Sequence, residues 1–154
     1  MPRIAILGGG LCGRLTALQL AEQGLSVALF EKGGRKGEHA AAYVAAAMLA
    51  PASEAVEATP EVIKLGRQSV PLWHNIRGRL KTPTMMQENG SLIVWHGQDK
   101  PLSSEFVRHL KRGGVVDDEI VRWRADDIAE REPQLAGRFS DGLYLPTEGQ
   151  LDGR

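Results

Sequence analysis

A run of four apolar residues, Ile4-Ala5-Ile6-Leu7, ends in three consecutive glycines, and Gly13 follows three residues after the last of them. Few folds accept that order. A short, unbroken apolar run is the pattern of a strand buried on both faces of a parallel sheet. From Leu11 to Gln23, Leu11, Leu15, Ala17, Leu18 and Ala21 recur at helical spacing, and Gly24 provides the stop. Leu25 to Phe30 reads as a second apolar strand with Glu31 at its end. Residues 1–31 therefore predict strand, glycine turn, helix and strand, which is one βαβ unit. Gly8 permits the tight turn, Gly10 lets a pyrophosphate approach the backbone, and Gly13 lets the helix pack closely on the strand. The free N–H groups of the helix start can solvate phosphate charge. Glu31 can accept hydrogen bonds from a pair of ribose hydroxyls. The arrangement predicts a dinucleotide site, against the plainer reading of a tight βα turn, and it does not separate FAD from NAD.

Composition narrows the remaining classes. The 154 residues carry 19 Lys+Arg against 19 Asp+Glu, with no basic block. A nucleic-acid or anionic-membrane partner needs a basic surface, so neither is expected. No apolar run approaches the ~20 residues of a bilayer span. Cys12 is the one cysteine, which excludes a disulfide framework and fits a reducing compartment. Three glycines interrupt the apolar N-terminal run and no signal-type cleavage pattern follows, so the expected location is the cytoplasm. His39, His74, His96 and His109 lack metal-ligand spacing, and no metal site is expected. Cys12 stands beside a helix start, where a thiol can be activated, but it reads better as a small packing residue in the turn.

The rest of the chain changes character. Residues 32–39 form a glycine- and charge-rich loop. Ala40 to Ala58 is alanine-dominated and interrupted by Pro51, and Ala40–Ala50 alone would suit a buried helix. Thr59-Pro60-Glu61 predicts a helix start with a threonine cap, followed by an apolar face of Val62, Leu65, Leu72, Trp73 and Ile76 and a kink at Pro71. Asn89-Gly90 predicts a hairpin between 84–88 and 91–96. Leu102 to Arg112 reads as a helix whose Arg108, Lys111 and Arg112 form a solvated face. Ile120–Arg124 reads as a strand, a short helix capped by Asp126 or Asp127 ends at Pro133, and Gly142–Leu145 is a last strand. Trp73, Trp95 and Trp123 suit core or sheet-face positions. The expected domains are 1–58, the N-terminal part of a nucleotide-binding domain; 59–81, a linking helix; and 82–154, part of an α+β substrate domain with antiparallel strands.

The stretch RIAILGGGLCGRLTALQLAEQGLSVALFEK resembles the N-terminal motif of FAD-dependent oxidoreductases of the D-amino-acid oxidase superfamily. AAYVAAAMLAPASEA is similar to the glycine oxidase segment that reads roughly Ser-Ala-Ala-Ala-Gly-Met-Leu. EREPQL and DGLYLPTEGQLDGR are similar to that family's Glu-x-x-Pro helix and the strand after it. The resemblance implies FAD as cofactor. It implies Leu11 and Cys12 over the pyrophosphate, Glu31 and Lys32 at the adenosine ribose, and Ala46, Ala47 and Met48 beside the isoalloxazine. Ala41 and Ala42 fall among the cofactor positions, where the family usually has Ser or Thr; Gly is usual at Ala47.

The reaction implied is oxidation of a small amine or amino acid by hydride transfer to flavin, giving an imine that hydrolyses. Related enzymes run to more than twice this length, and a doubly wound sheet needs more than two parallel strands. The expected fold is thus an incomplete α/β one: a Rossmann-type βαβ unit of the N-terminal portion of a flavoenzyme. A flavin monooxygenase and a non-catalytic nucleotide-binding fragment are the alternatives. Catalytic and substrate-binding residues are not assigned, and homo-oligomerisation is left open.

Overall fold

The computed structural model describes residues 3–153, which cluster into two compact units. The first runs to Ala47 and takes in the chain end from Asp152; the second is Met48–Leu151. Arg154, the last residue of the C-terminal motif, lies outside the described residues. No helix among the described residues is long and apolar enough to cross a membrane.

The first unit contains β1 (Arg3–Leu7), α1 (Leu11–Glu22) and β2 (Ser26–Phe30). The strands pair in parallel, with Ile4 opposite Val27 and Ile6 opposite Leu29, so α1 is the crossover helix that parallel strands require. Gly24, at φ +80°, ends it: Gly24 N–H bonds the Ala21 carbonyl and Leu25 N–H bonds the Leu20 carbonyl. The expectation of a strand buried on both faces is not met within this unit. Ile4 and Ile6 are half-buried, whereas Leu7 is 84% and Phe30 56% exposed. One partner strand and one helix can cover only one face of so small a sheet. Among the described residues, every buried apolar side chain belongs to the second unit.

Ala40–Ala50 is not a helix. Only α2 (Ala41–Val44) is helical; Ala45 is already extended at φ −73°, ψ 148°, and the chain enters a short strand, β3 (Met48–Leu49). A 3₁₀ turn, Ser53–Val56, leads to α3 (Pro60–Arg79). Thr59 stands at the α3 cap, but its hydroxyl makes no bond to the helix N–H groups. The expected apolar face is also displaced. Ile63 and Ile76 are buried, Trp73 is half-buried, and Val62, Leu65 and Leu72 are exposed. The buried and half-buried positions of α3 include Ile63, Gly66, Val70, Trp73 and Ile76, while Arg67 beside them is exposed and pairs with Glu119 at 2.9 Å. Gly66 lets α3 approach Pro51, where a Cβ would lie 3.0 Å from the proline Cβ. A glycine in a packing stripe leaves no hydropathy signal.

The strands that follow are β4 (Met86–Gln87), β5 (Ser91–Val94), β6 (Val121–Arg124), β7 (Asp141–Leu145) and β8 (Gly149–Leu151). They form two three-stranded antiparallel sheets, β3-β8-β4 and β5-β7-β6. The expected hairpin at Asn89-Gly90 does not form, because β4 pairs with β8 and β5 with β7. Gly90 crosses between the sheets at φ +76°, bonding the Glu148 carbonyl, and a Cβ there would collide with the Tyr144 ring. Asn-Gly signals the turn correctly but not its pairing, which the adjacent edges of β7 and β8 capture.

Two further helices, α4 (Lys100–Arg112) and α5 (Ala125–Arg131), cover the β5-β7-β6 sheet's unit. The α5 start is closed from its third residue: Asp127 accepts the Arg124 backbone N–H at 2.8 Å, so neither Asp126 nor Asp127 is the cap itself. Trp123 stacks on Tyr144 with ring centroids 4.4 Å apart. The core joins Ala52, Ala55, Ile63, Leu110, Val115 and Leu145, with Ile93 and Phe106 packed against it.

One buried charge ties this unit together. Glu148, 0% exposed, accepts the Ser53 backbone N–H at 2.6 Å and the Ser53 hydroxyl at 3.0 Å. A buried carboxylate is tolerable only when donors replace its water, and the start of the 3₁₀ turn supplies them. Glu148→Ala is expected to destabilise the unit by about 3 kcal/mol, as charged hydrogen bonds are lost and buried donors orphaned. Glu148→Gln, which keeps an acceptor oxygen, should cost less. Denaturant unfolding of both variants checks the order; equal midpoints for Glu148→Ala and wild type would contradict it.

Candidate functional site

Gly8 leaves β1 at φ +106°, and its N–H still bonds the Phe30 carbonyl at 2.8 Å, so the loop begins as an extension of the β1-β2 ladder. Gly10 is the α1 cap in extended conformation, with no side-chain bond to the helix and no acid in the first turn. The first-turn N–H groups of Leu11, Cys12 and Gly13 have no acceptor within the helix. A Cβ at Gly10 would meet nothing within 4 Å, so the cap position itself is uncrowded. A Cβ at Gly13 would collide with the Gly8 carbonyl oxygen and lie 3.5 Å from Ile6 Cγ2. The helix start is thereby drawn against β1, with its positive end at the turn.

Glu31 closes the other side. One carboxylate oxygen accepts the Gly9 N–H, and the other accepts the Gly33 N–H at 3.0 Å. These backbone bonds, Gly33 first and Gly9 next, hold the Glu31 pKa below its ordinary value, helped by the Lys32 backbone and charge. A carboxylate has about four acceptor positions, so roughly two remain for incoming hydroxyl donors. Gly9 is buried, and a Cβ there would lie 2.9 Å from the Glu31 Cβ. The middle glycine of the triplet, to which sequence reasoning assigned no task, is thus what admits Glu31. Gly33 and Arg14, which donates to the Gly9 carbonyl at 2.6 Å, were also not singled out. The surplus glycines at positions 9 and 33 were the available signal.

The donor set suits an adenine dinucleotide. Backbone N–H groups and a helix start fit a pyrophosphate, and an ionised acid with spare acceptors fits a ribose diol. The first unit brings Gly8, Gly10, Leu11, Cys12, Gly13, Glu31 and Lys32 to one end of β1 and β2; Leu11, Cys12 and Lys32 are exposed there. Ala41 and Ala42 are the first residues of α2 and carry no polar side-chain atom. Ala46 and Ala47 follow α2, and Ala47 has φ +52°, in the left-handed region where glycine is unstrained. Met48 belongs to the second unit as the first residue of β3, 60% exposed and opposite Gln150.

Among the described residues no cluster of His, Cys, Asp and Glu could hold a metal ion. His74 pairs with Glu88 at 2.9 Å and His109 faces Glu105 at 3.9 Å. A cleft of about 450 Å³ in the second unit is lined by Ile93, Trp95, His96, Leu102, Phe106 and Phe139 among others, none of them a sequence-selected cofactor residue.

Comparison with known proteins bears on this geometry. A family model described as FAD dependent oxidoreductase matches residues 3–154. A putative thiamine biosynthesis oxidoreductase ThiO of Rhizobium etli is 34% identical over 152 residues, covering 99% of this chain and 42% of that protein. A glycine oxidase of Geobacillus kaustophilus is 28% identical over 153 residues, 96% of this chain and 39% of that protein. The crystal structure of glycine oxidase from Geobacillus kaustophilus has a TM-score of 0.75 at 27% identity, covering 98% of this chain and 41% of that one. Iminodiacetate oxidase from Chelativorans sp. BNC1 has a TM-score of 0.79 at 22% identity over 99% of this chain and 41% of that one, which is a likeness of fold. The chain spans about two fifths of the length of the relatives it matches.

Two outcomes follow from the site. A lowered folded-state pKa at Glu31 means that its stabilising contribution is present above the unfolded value and is lost as pH falls through the folded one. A carboxyl ¹³C titration should therefore place the Glu31 midpoint below that of an unstructured glutamate; an ordinary midpoint would contradict the two amide bonds. Ala47→Gly should stabilise the chain by about 0.5–1 kcal/mol, the left-handed strain relieved less the added unfolded-state entropy. Thermal denaturation reads the sign.

Proposed function

The chain belongs to the FAD dependent oxidoreductase family, and on that premise we propose that it carries the nucleotide-binding part of an enzyme oxidising small amines or amino acids. The observation that carries this reading is the pairing of Glu31, two of its acceptor positions still free, with the uncrowded helix start at Gly10. Gly8, Gly10 and Gly13, with the N–H groups of Leu11 and Cys12, hold the pyrophosphate. Glu31 and Lys32 hold the adenosine ribose. The resemblance adds Ala46, Ala47 and Met48 beside the flavin ring, with Ala41 and Ala42 among the further cofactor positions. The amine or amino-acid substrate class is supported by the glycine oxidase of Geobacillus kaustophilus, through its name and its 28% identity.

When bound, FAD supplies the two-electron acceptor for the substrate C–H bond next to nitrogen. This chain's own contribution is to bind and orient. Backbone donors at α1 neutralise phosphate charge without a mobile side chain, and the ionised Glu31 fixes the ribose by hydrogen bonds that a neutral residue would make more weakly. The small side chains of Ala46 and Ala47 let a planar ring lie close to the backbone. A location in the cytoplasm and a small-molecule partner complete the reading.

The visible absorption spectrum of the purified chain, titrated with FAD, tests it. Bound flavin bands are the expected result, and bleaching on addition of a small amine or amino acid is then the measure of oxidase chemistry. Bleaching by a nicotinamide cofactor instead would favour a monooxygenase, and a folded chain that takes up no flavin would leave either a fragment that needs the rest of the enzyme or a non-catalytic module. Glu31→Ala should weaken FAD binding at least about tenfold, equivalent to about 1.4 kcal/mol.

A further inference from the structure

Arg14, the fourth residue of α1, joins two loops that are far apart in sequence. Its Nε donates to the Gly9 carbonyl at 2.6 Å and its Nη2 donates to the Arg35 carbonyl at 2.8 Å. Glu31 spans the same two loops with the opposite polarity, accepting the N–H groups of Gly9 and Gly33. Gly9 is therefore held at both ends of its residue, by a carboxylate at the nitrogen and by a guanidinium at the carbonyl. The loop is shaped to admit that guanidinium. Gly37 is buried at φ +78°, and a Cβ there would lie 3.0 Å from Arg14 Nη2. Two divergent bonds from a rigid fork are a geometry that arginine supplies and lysine does not.

We propose that Arg14 is a positioning residue which, together with Glu31, latches the glycine turn to the 33–37 loop and so pre-forms the ribose end of the nucleotide site. Ordering one backbone residue costs about 1–2 kcal/mol, so a loop already held in place adds less to the cost of binding a ligand beside it. The acid alone cannot do this, since it grips N–H groups and leaves both carbonyls to swing. The base alone leaves the N–H groups unheld. The consequence for FAD rests on the cofactor reading above, whereas the latch itself does not.

The test separates the two. Hydrogen exchange of the ligand-free chain is followed at the Gly9, Gly33 and Gly37 amides in wild type, Arg14→Met and Arg14→Lys, and FAD affinity is measured alongside. Arg14→Met should speed exchange about tenfold or more at all three amides while the β1 and β2 amides keep their rates, as a local opening does. Arg14→Lys, with charge and stem but no fork, should resemble Arg14→Met, and FAD affinity should fall about tenfold in both. Faster exchange in one loop only, or in neither, overturns the latch. Weakened FAD binding with unchanged exchange overturns it too, since Arg14 would then act on the cofactor directly. A wild-type chain that binds no FAD but shows the paired exchange effect leaves the latch standing and removes the cofactor reading. Should Arg14→Met unfold the unit, seen as faster exchange throughout β1 and β2, Arg14→Lys alone must show the loop-limited pattern or the proposal falls.

Discussion

The bond between the Glu31 carboxylate and the Gly9 N–H joins the end of the second strand to the turn after the first, and the first unit is organised around it. It requires a residue without a side chain at position 9, an ionised acid at position 31 and parallel strands in register, so that the two ends meet. Parallel pairing brings the carboxyl ends of β1 and β2 to one side, where a ligand of an open α/β sheet is held. Two of the other glycines are likewise explained by a close neighbour. Gly13 lies against the Gly8 carbonyl, and Gly37 lies against Arg14.

The second unit uses the same chemistry for a different purpose. Glu148 meets the backbone N–H of Ser53 across 95 residues, again a carboxylate at the start of a helical turn, but fully buried and away from solvent. There the acid joins the β7-β8 connection to the segment after β3. In the first unit the acid is accessible and keeps acceptors in reserve. A partly accessible carboxylate can serve a ligand, and one fully buried against donors of its own chain serves the fold.

What the sequence made legible follows from how local each signal is. The βαβ unit can be read because strand, turn, helix and acid lie within 31 consecutive residues, and glycine spacing has a steric meaning at every position. Ala47 could be marked as the place where glycine is usual, and its φ of +52° gives the reason. The hairpin at Asn89-Gly90 could not be read correctly, because its strands choose partners 48 to 65 residues downstream. The packed face of α3 was misread because part of it, at Gly66 against Pro51, has no side chain to register as apolar. Ala40–Ala50 misleads by composition, since alanine favours helix and the chain is extended from Ala45. Arg14 carries no signal in the sequence, because its partners, the carbonyls of Gly9 and Arg35, are set by the return of the chain.

Membership of the FAD dependent oxidoreductase family and the geometry of the glycine turn converge on one claim, that the end of β1 and β2 holds the adenosine and pyrophosphate of FAD. The most direct measurement is an amide ¹H–¹⁵N spectrum of the chain titrated with FAD. The account predicts shifts concentrated at Gly9 to Gly13 and at Gly33, with the amides of β5, β6 and β7 unchanged. Saturable FAD binding that leaves the glycine-turn amides unmoved, or no binding by a chain whose β1-β2 ladder is formed, would contradict it.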